Sequence, residues 1–384
     1  SFYAQGISIN YLTGMLVVAG ITVLYTLFGG FLGASLTDVA QGILMFLSLL
    51  AVPIVVILTM GGWDAVVEGI RAADAAGGGV NHFSMFENAT LIGVLSSLAW
   101  GLGYFGQPHI IVRFMALRTP HDAAVARRVG IGWMALSVFG AVMVALVGIA
   151  YFQANPGTTL EDPETVFLVL ASIMFHPFVA GLVLAAVLAA IMSTLSSQLI
   201  VCSSALVEDL YMLRGRTGSP TFTLWLGRIG VLVVALVAGL LALNPDSSVL
   251  ELVSFAWAGF GAAFGPVILL ALYWPRFTSW GAMAAMVTGA AVAWVWSEAS
   301  AETWEWFGLY ELLPGFVAAF VVGVVVSLVT QRSRRVQRRI DAEFTGAIDI
   351  VAGREPHPDV APAAMTRDAA GGSTAAAADP RAQA

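Results

Sequence analysis

The feature that most constrains this chain is a succession of apolar runs, each long enough to cross a bilayer, separated by short loops of alternating charge. A spanning helix needs about 20 apolar residues at about 1.5 Å each. Nine such runs stand near 10–32, 36–60, 90–114, 129–152, 176–207, 221–243, 249–273, 279–297 and 309–330. Only 11% of the 384 residues are charged and the mean hydropathy is +0.86, where soluble domains carry about 25% charge. The chain therefore reads as an all-α polytopic membrane protein, and its net charge of −7 says nothing of nucleic acid. The single cysteine, Cys202, excludes an intrachain disulfide framework and a multi-Cys metal site.

The loops orient the spans. Arg113, Arg118, Arg127 and Arg128 follow the third run, Arg214 and Arg216 the fifth, Arg276 the seventh, and Arg332, Arg334, Arg335, Arg338 and Arg339 the ninth. Acids hold the alternate loops: Asp64, Glu68, Asp74 and Glu87, then Glu161, Asp162 and Glu164, then Asp246, then Glu298, Glu302 and Glu305. The positive-inside rule puts the arginine ends in the cytoplasm, giving a multi-pass protein of the cell's inner membrane with a cytoplasmic C-terminus. Counting back leaves Ser1 outside, with neither a basic signal sequence nor an initial Met. The expectation is a chain that continues a longer one. Residues 60–89 read as an external hairpin or short interfacial helix, and 155–175 as an external amphipathic segment. Residues 1–331 form the transmembrane region, 332–384 an Arg-rich juxtamembrane piece and an Ala/Pro tail, with 345–384 expected to be disordered.

Two runs are broken by their own residues. In LIGVLSSLAWGLGYFGQPHIIVRF (91–114), Gly101, Gly103, Gly106 and Pro108 crowd the middle. Glycine weakens a helix and proline removes a donor, so the segment should unwind or kink. Open backbone at membrane depth is tolerated where it is buried in protein or lines a watery cavity. Trp100, Tyr104 and Gln107 would offer two aromatic walls and an amide to a small polar or zwitterionic guest, and a kink packed by small residues explains the same pattern. In SSVLELVSFAWAGFGAAFGP, Trp257, Gly259 and Pro266 suggest a pliant gating helix beside that break, with Gly101, Gly103 and Gly106 as the other hinge positions; small-residue packing accounts for its glycines equally well.

In the fifth run, Ala190, Ser193, Thr194 and Ser197 fall at i, i+3, i+4 and i+7 on one helical face. Hard cations take several oxygens, and Ser193 and Thr194 hydroxyls with the Ala190 carbonyl could supply them to Na⁺ without a buried carboxylate. From spacing alone, close helix packing outweighs the ion site. Glu208 and Asp209 read as solvated charges at the cytoplasmic mouth, Asp38 as a helix cap with a coupling carboxylate as the alternative, and His109 and His176 as no metal ligands.

WGLGYFGQPHIIVRFMA, IMSTLSSQLIVCSSALVEDLY, LVSFAWAGFGAAFGP and GLYELLPG resemble the sodium/solute symporter family over about residues 2–328, and within it the bacterial sodium/proline symporters (PutP type). The resemblance implies a LeuT-like core of two inverted five-helix repeats within thirteen helices, of which nine are in this chain, so that the partners of the site from the first and third core helices would lie ahead of Ser1. It implies that Trp100, Tyr104 and Pro108 are substrate-side and that Ala190, Ser193 and Thr194 bind sodium. The implied activity is sodium-coupled uptake of L-proline by alternating access, with Na⁺ as coupling ion, no cofactor and no covalent chemistry. The alternatives are another amino acid or small carboxylate as cargo, a sensor-type membrane domain, and an inactive fragment.

Overall fold

The structure is a computed structural model and describes residues 2–4, 7–9, 11–77, 81–84, 89–158, 160, 162–207, 219–243, 249–299, 304–331 and 334–351. Glu208 and Asp209, the loop residues Glu87, Glu161, Asp246, Glu302, Arg214, Arg216 and Arg332, and the tail 352–384 lie outside them. Apart from a hairpin of β1 (Phe2–Ala4) and β2 (Ile7–Ile9), the described elements are helical. Among the described residues, seven helices are long and apolar enough to cross a membrane. The chain divides into two compact units, 1–89 with 125–248 and 90–124 with 249–384.

In the first unit, α1 (Tyr11–Thr59) is far longer than a bilayer requires, and Gly30 interrupts it with φ 54° and ψ −152°. L-residues with a Cβ avoid that conformation, so glycine divides α1 into the two spans that the apolar runs at 10–32 and 36–60 predict. After positive-φ turns at Gly61 and Gly62, of the hairpin and short helix expected as alternatives in 60–89 it is a helix that forms, α2 (Trp63–Ala76). Its Val66 and Ile70 are fully buried with Val52 and Val56 of α1, with Val144, Val147 and Ala150 of α5 (Pro120–Ala154), with Leu170 and Ala171 of α6 (Val166–Met174), and with Val183 of α7 (Pro177–Ser204). Each side chain of that size removed from water contributes about 1.5–3 kcal/mol, which anchors the amphipathic α2 and the apolar α6 to the spanning helices. His176 caps α7, its Nδ1 accepting from the Phe178 amide at 3.4 Å.

The last helix of this unit, α8 (Pro220–Leu241), carries an arginine the charge pattern did not single out. The break at Gly30 leaves carbonyls of the preceding turn without their i+4 amides. Arg228 Nε–H donates to one of them, that of Leu27, at 3.2 Å, and its guanidinium lies 5.8 Å from the Phe28 ring centroid and 5.1 Å from that of Trp225. A cation in a span is costly unless so engaged.

In the second unit, the run at 90–114 is not one spanning helix. It is α3 (Leu91–Ala99), a 3₁₀ stretch (Trp100–Gly106) and α4 (Pro108–Met115). Two helices of spanning length pack against it, α9 (Val249–Tyr273) and α11 (Leu312–Val329), and α10 (Ser279–Ser297) packs on both of these. Pro266 does not stop α9, which runs on to Tyr273. Proline does strip the carbonyl four residues back of its amide partner, and this is the carbonyl of Ala262. A Cβ added to Gly289 of α10 would stand 2.2 Å from that oxygen, so α10 approaches the freed carbonyl through a glycine. At the other end of the α10–α11 pair, the Thr278 amide donates to Ser327 Oγ at 3.1 Å and Thr278 Oγ1 meets Thr330 Oγ1 at 2.8 Å.

Residues 345–351, expected to be disordered, are helical instead. They end α12 (Arg334–Val351), in which Val336, Ile340, Phe344 and Ile348 recur every fourth residue, an amphipathic period that a reading by composition passes over. Gln337 Nε2 donates to the Pro275 carbonyl at 3.0 Å and holds α12 to this unit.

Gly289→Ala should force α10 off the Ala262 carbonyl and cost about 1–3 kcal/mol, as overpacking does. Thermal unfolding in detergent should show a lowered midpoint, while Gly239→Ala in α8, whose added Cβ meets nothing within 4 Å, should not. Equal midpoints would refute the close approach.

Candidate functional site

The glycines and proline at 101–108 do unwind the chain, and the residues predicted to border the break assemble in the second unit. Trp100 opens the 3₁₀ stretch, a geometry with poorer hydrogen bonds than the α-helix, and α9 supplies what it lacks. Trp257 Nε1–H donates to the Trp100 carbonyl at 3.0 Å, and the Trp100 and Trp257 rings stack at 5.8 Å with 13° between planes. Tyr104 sets its ring edgewise to Trp257 at 4.8 Å and 84°. Gln107 ends the stretch in extended conformation (φ −84°, ψ 111°), where its carbonyl accepts the amides of Ile110 and Ile111 at 3.1 Å and Pro108 begins α4. Proline at a first helical position costs nothing, because its amide would have been idle.

The side chains differ in what they can offer a guest. Tyr104 is 37% exposed and Trp100 half-buried, so aromatic surface is available. Gln107 is only 4% exposed, and its Nε2 donates to the Trp257 carbonyl at 3.3 Å. Its amide fastens α9 to the break instead of presenting itself as a freely exposed donor.

The hinge glycines also separate. A Cβ on Gly103 would fall 1.9 Å from Trp257 Nε1, and one on Gly106 would fall 2.4 Å from the Phe260 carbonyl oxygen. Gly101 and Gly259 have nothing within 4 Å. The first pair are contact positions and the second pair have free space. Trp257 was foreseen as a neighbour, but its role as donor to the break was not. Tyr310, which no spacing in the sequence links to the break, stacks on Trp100 at 5.5 Å and 15°.

The hydroxyl stripe lies in the first unit, on α7. Ser193 Oγ donates to the Ala190 carbonyl at 3.0 Å, and Ser196 and Ser197 both donate to the Ser193 carbonyl, at 3.0 and 2.8 Å. Tyr25 of α1 donates its hydroxyl to the Met192 carbonyl at 2.9 Å. Ser193 is half-buried, Ser196 and Ser197 are buried, and Thr194 is exposed on the same helix. Ser193 Oγ and the Ala190 oxygen stand close enough to ligate one cation together at the 2.3–2.6 Å typical of hard-cation oxygen ligands.

Asp38 is no helix cap. It sits eight residues beyond the Gly30 break, inside the continuing helix, in electrostatic range of Tyr25, which also neighbours Ser196 and Gln41. The sequence could not show this, because it places the 36–60 span but not the turn from which that span resumes.

Among the described residues the protein is almost wholly helical, with seven helices of spanning length and one apolar segment broken into α, 3₁₀ and α pieces, a polytopic membrane architecture whose LeuT-like fold follows from its structural likeness. Its backbone matches a solved Na⁺-coupled sialic acid symporter in a substrate-bound outward-open state, with TM-score 0.65 and 17% identity over 86% of this chain and 69% of that one. The chain belongs to the sodium:solute symporter family, whose model matches residues 1–289. It is 50% identical to the high-affinity proline transporter PutP of Bacillus subtilis over 327 residues, 85% of this chain and 67% of that protein. It is 46% identical to the osmoregulated proline transporter OpuE of the same organism over 332 residues, 86% of this chain and 66% of that one. Against a sodium/proline symporter of Staphylococcus aureus it is 45% identical over 338 residues, 86% and 65% of the two chains. The chain thus spans about two thirds of the length of these relatives.

If Gly103 and Gly106 are contact positions, Gly103→Ala and Gly106→Ala should displace Trp257 or the 3₁₀ stretch and lower the thermal midpoint of the purified protein by several degrees, with a shift in tryptophan emission for Gly103→Ala. Gly101→Ala should leave both readings at the parent values. A uniform response of all three would cancel the distinction.

Proposed function

We propose that the intact protein is a sodium/proline symporter of the cell's inner membrane: L-proline enters with Na⁺ down the sodium gradient by alternating access, without covalent chemistry. The observation that carries this reading is the glycine-permitted 3₁₀ break with Trp100 and Tyr104 on its surface and Gln107 and Pro108 at its end. A zwitterion with an apolar ring matches such a place: the ring packs on aromatic faces, and the charged ends find backbone groups that a continuous helix would have consumed. The names of the relatives support proline as cargo and sodium as coupling ion. The arginine placement along the sequence supports a cytoplasmic C-terminus.

For sodium, the reading assigns the Ala190 carbonyl and the Ser193 and Thr194 hydroxyls. Neutral oxygens suit an ion that must leave again on every cycle, since no buried carboxylate is stranded when it departs. Bound sodium and bound proline each favour the same state, and each therefore raises the other's affinity by the same factor. Gly101 and Gly259 serve as hinge positions, and Gly103, Gly106 and Trp257 form the packed gate between the break and α9.

Trp100→Ala and Tyr104→Ala in the intact protein should each weaken proline binding by about tenfold or more while the protein still inserts, since each removes a large aromatic contact. Proline affinity at parent level in both would remove the break from the substrate site. Competition by other amino acids and short carboxylates settles the cargo within the same assay.

Ser193→Ala and Thr194→Ala should raise the Na⁺ concentration for half-maximal uptake roughly ten- to a hundredfold, the penalty for one unmet polar partner. An unaltered sodium dependence would return the stripe to helix packing.

A further inference from the structure

Tyr310 lies just ahead of α11 and engages three places at once. Its amide donates to Ser96 Oγ of α3 at 3.0 Å, its hydroxyl donates to the Ser254 carbonyl of α9 at 2.7 Å, and its ring stacks on Trp100 at 5.5 Å and 15°. Ser96 and Trp100 are four residues apart and share a helical face, so one tyrosine spans the junction where α3 gives way to the 3₁₀ stretch. The next residue but one, Leu312, is fully buried with Ala258, Ala262 and Ala293, which fixes the base from which Tyr310 projects.

The 3₁₀ stretch is poorly suited to hold a large ring in one orientation, because its own hydrogen bonds are weak and its neighbours are glycines. The orientation of Trp100 is imposed from outside instead. Trp257 stacks on it and binds its carbonyl, and Tyr310 stacks on it while anchored at both backbone and hydroxyl. We infer that Tyr310 is a positioning residue for the substrate: through its stack with Trp100 it fixes the orientation of that half-buried indole, whose exposed part meets the apolar ring of a small cyclic amino acid. This rests on the reading that Trp100 contacts the substrate. Tyr310 contributes through the indole.

A double-mutant cycle in the intact protein tests this, with L-proline binding measured at saturating Na⁺. Tyr310→Leu, which fills space without stacking, should weaken proline binding about three- to tenfold, the equivalent of one aromatic pair. Tyr310→Phe, which keeps the ring, should stay within about twofold of the parent, since only the hydroxyl's bond is lost. On the Trp100→Ala background, Tyr310→Leu should add nothing, because the group it acts through is gone. The Na⁺ dependence should be that of the parent throughout. Ser96→Ala, which frees the Tyr310 amide with a smaller change in packing, should show the same vanishing effect on the Trp100→Ala background, and it carries the test if Tyr310→Leu does not fold. Additive losses would overturn the inference, as would equal losses in the Phe and Leu variants. Parent-level affinity in Tyr310→Leu beside a weakened Trp100→Ala would overturn it and leave the site standing. Parent-level affinity in Trp100→Ala would overturn the site itself.

Discussion

In hydrocarbon a backbone carbonyl or amide without a partner costs several kcal/mol, and at three interruptions of helix in this protein a group meets or accommodates freed backbone. At the Gly30 break, Arg228 donates to the Leu27 carbonyl. At the 3₁₀ stretch, Trp257 donates to the Trp100 carbonyl, and the side chain of Gln107, at the far end of the same stretch, donates back to the Trp257 carbonyl. The exchange is reciprocal and ties one residue of α9 to both ends of the break. At Pro266 the Ala262 carbonyl is approached by a glycine of α10. The interruptions are therefore structural commitments, each with its own donor or its own close approach.

How far such commitments can be read from sequence depends on whether cause and consequence are local. The break at 100–106 was legible because glycine and proline act on their own backbone, and the predicted residues are those that unwind. The spans at 249–273 and 279–297 were legible because apolar length is a local quantity. What fills the space each glycine leaves was not. The indole over Gly103 belongs to a residue about 150 positions later, and nothing in the spacing of 101–108 identifies it. The same holds for Gln107, whose long-range acceptor, the Trp257 carbonyl, has no signal in the local spacing. Asp38 looked like a cap because the resumption of helix after Gly30 has no strong punctuation, and α12 was passed over because its Arg-rich start and the Ala-rich tail that follows drew attention away from a four-residue apolar period.

The α7 stripe illustrates a different limit. Ser193, Ser196 and Ser197 each donate to a carbonyl of their own helix, a back-bonding that hydroxyls adopt whether or not a ligand is near. Such a bond uses the proton and leaves hydroxyl lone pairs available, so one arrangement serves packing and ion binding alike. An ion's dependence on each hydroxyl separates the two roles. The same logic explains why the stripe is neutral. A carboxylate on that face would bind a cation more strongly and would be left unpaired in low dielectric when the cation departed.

The division among the glycines bears on how the break can move. Gly103 and Gly106 touch Trp257, Phe260 and Gly261 so closely that no Cβ fits, and Gly261 in turn lies against Gly103. Packed surfaces of this kind are bistable and do not deform continuously, so residues 103–106 and the facing turn of α9 shift as one body or come apart altogether. Gly101 and Gly259 have open space around them, and a glycine there contributes torsional freedom without a contact to break. Each lies beside a tryptophan of the stack, Gly101 next to Trp100 and Gly259 two residues past Trp257. The Trp257 indole has no such freedom of its own: it lies against Gly103 and its N–H holds the Trp100 carbonyl, so turning it would open the seam and strand that carbonyl together.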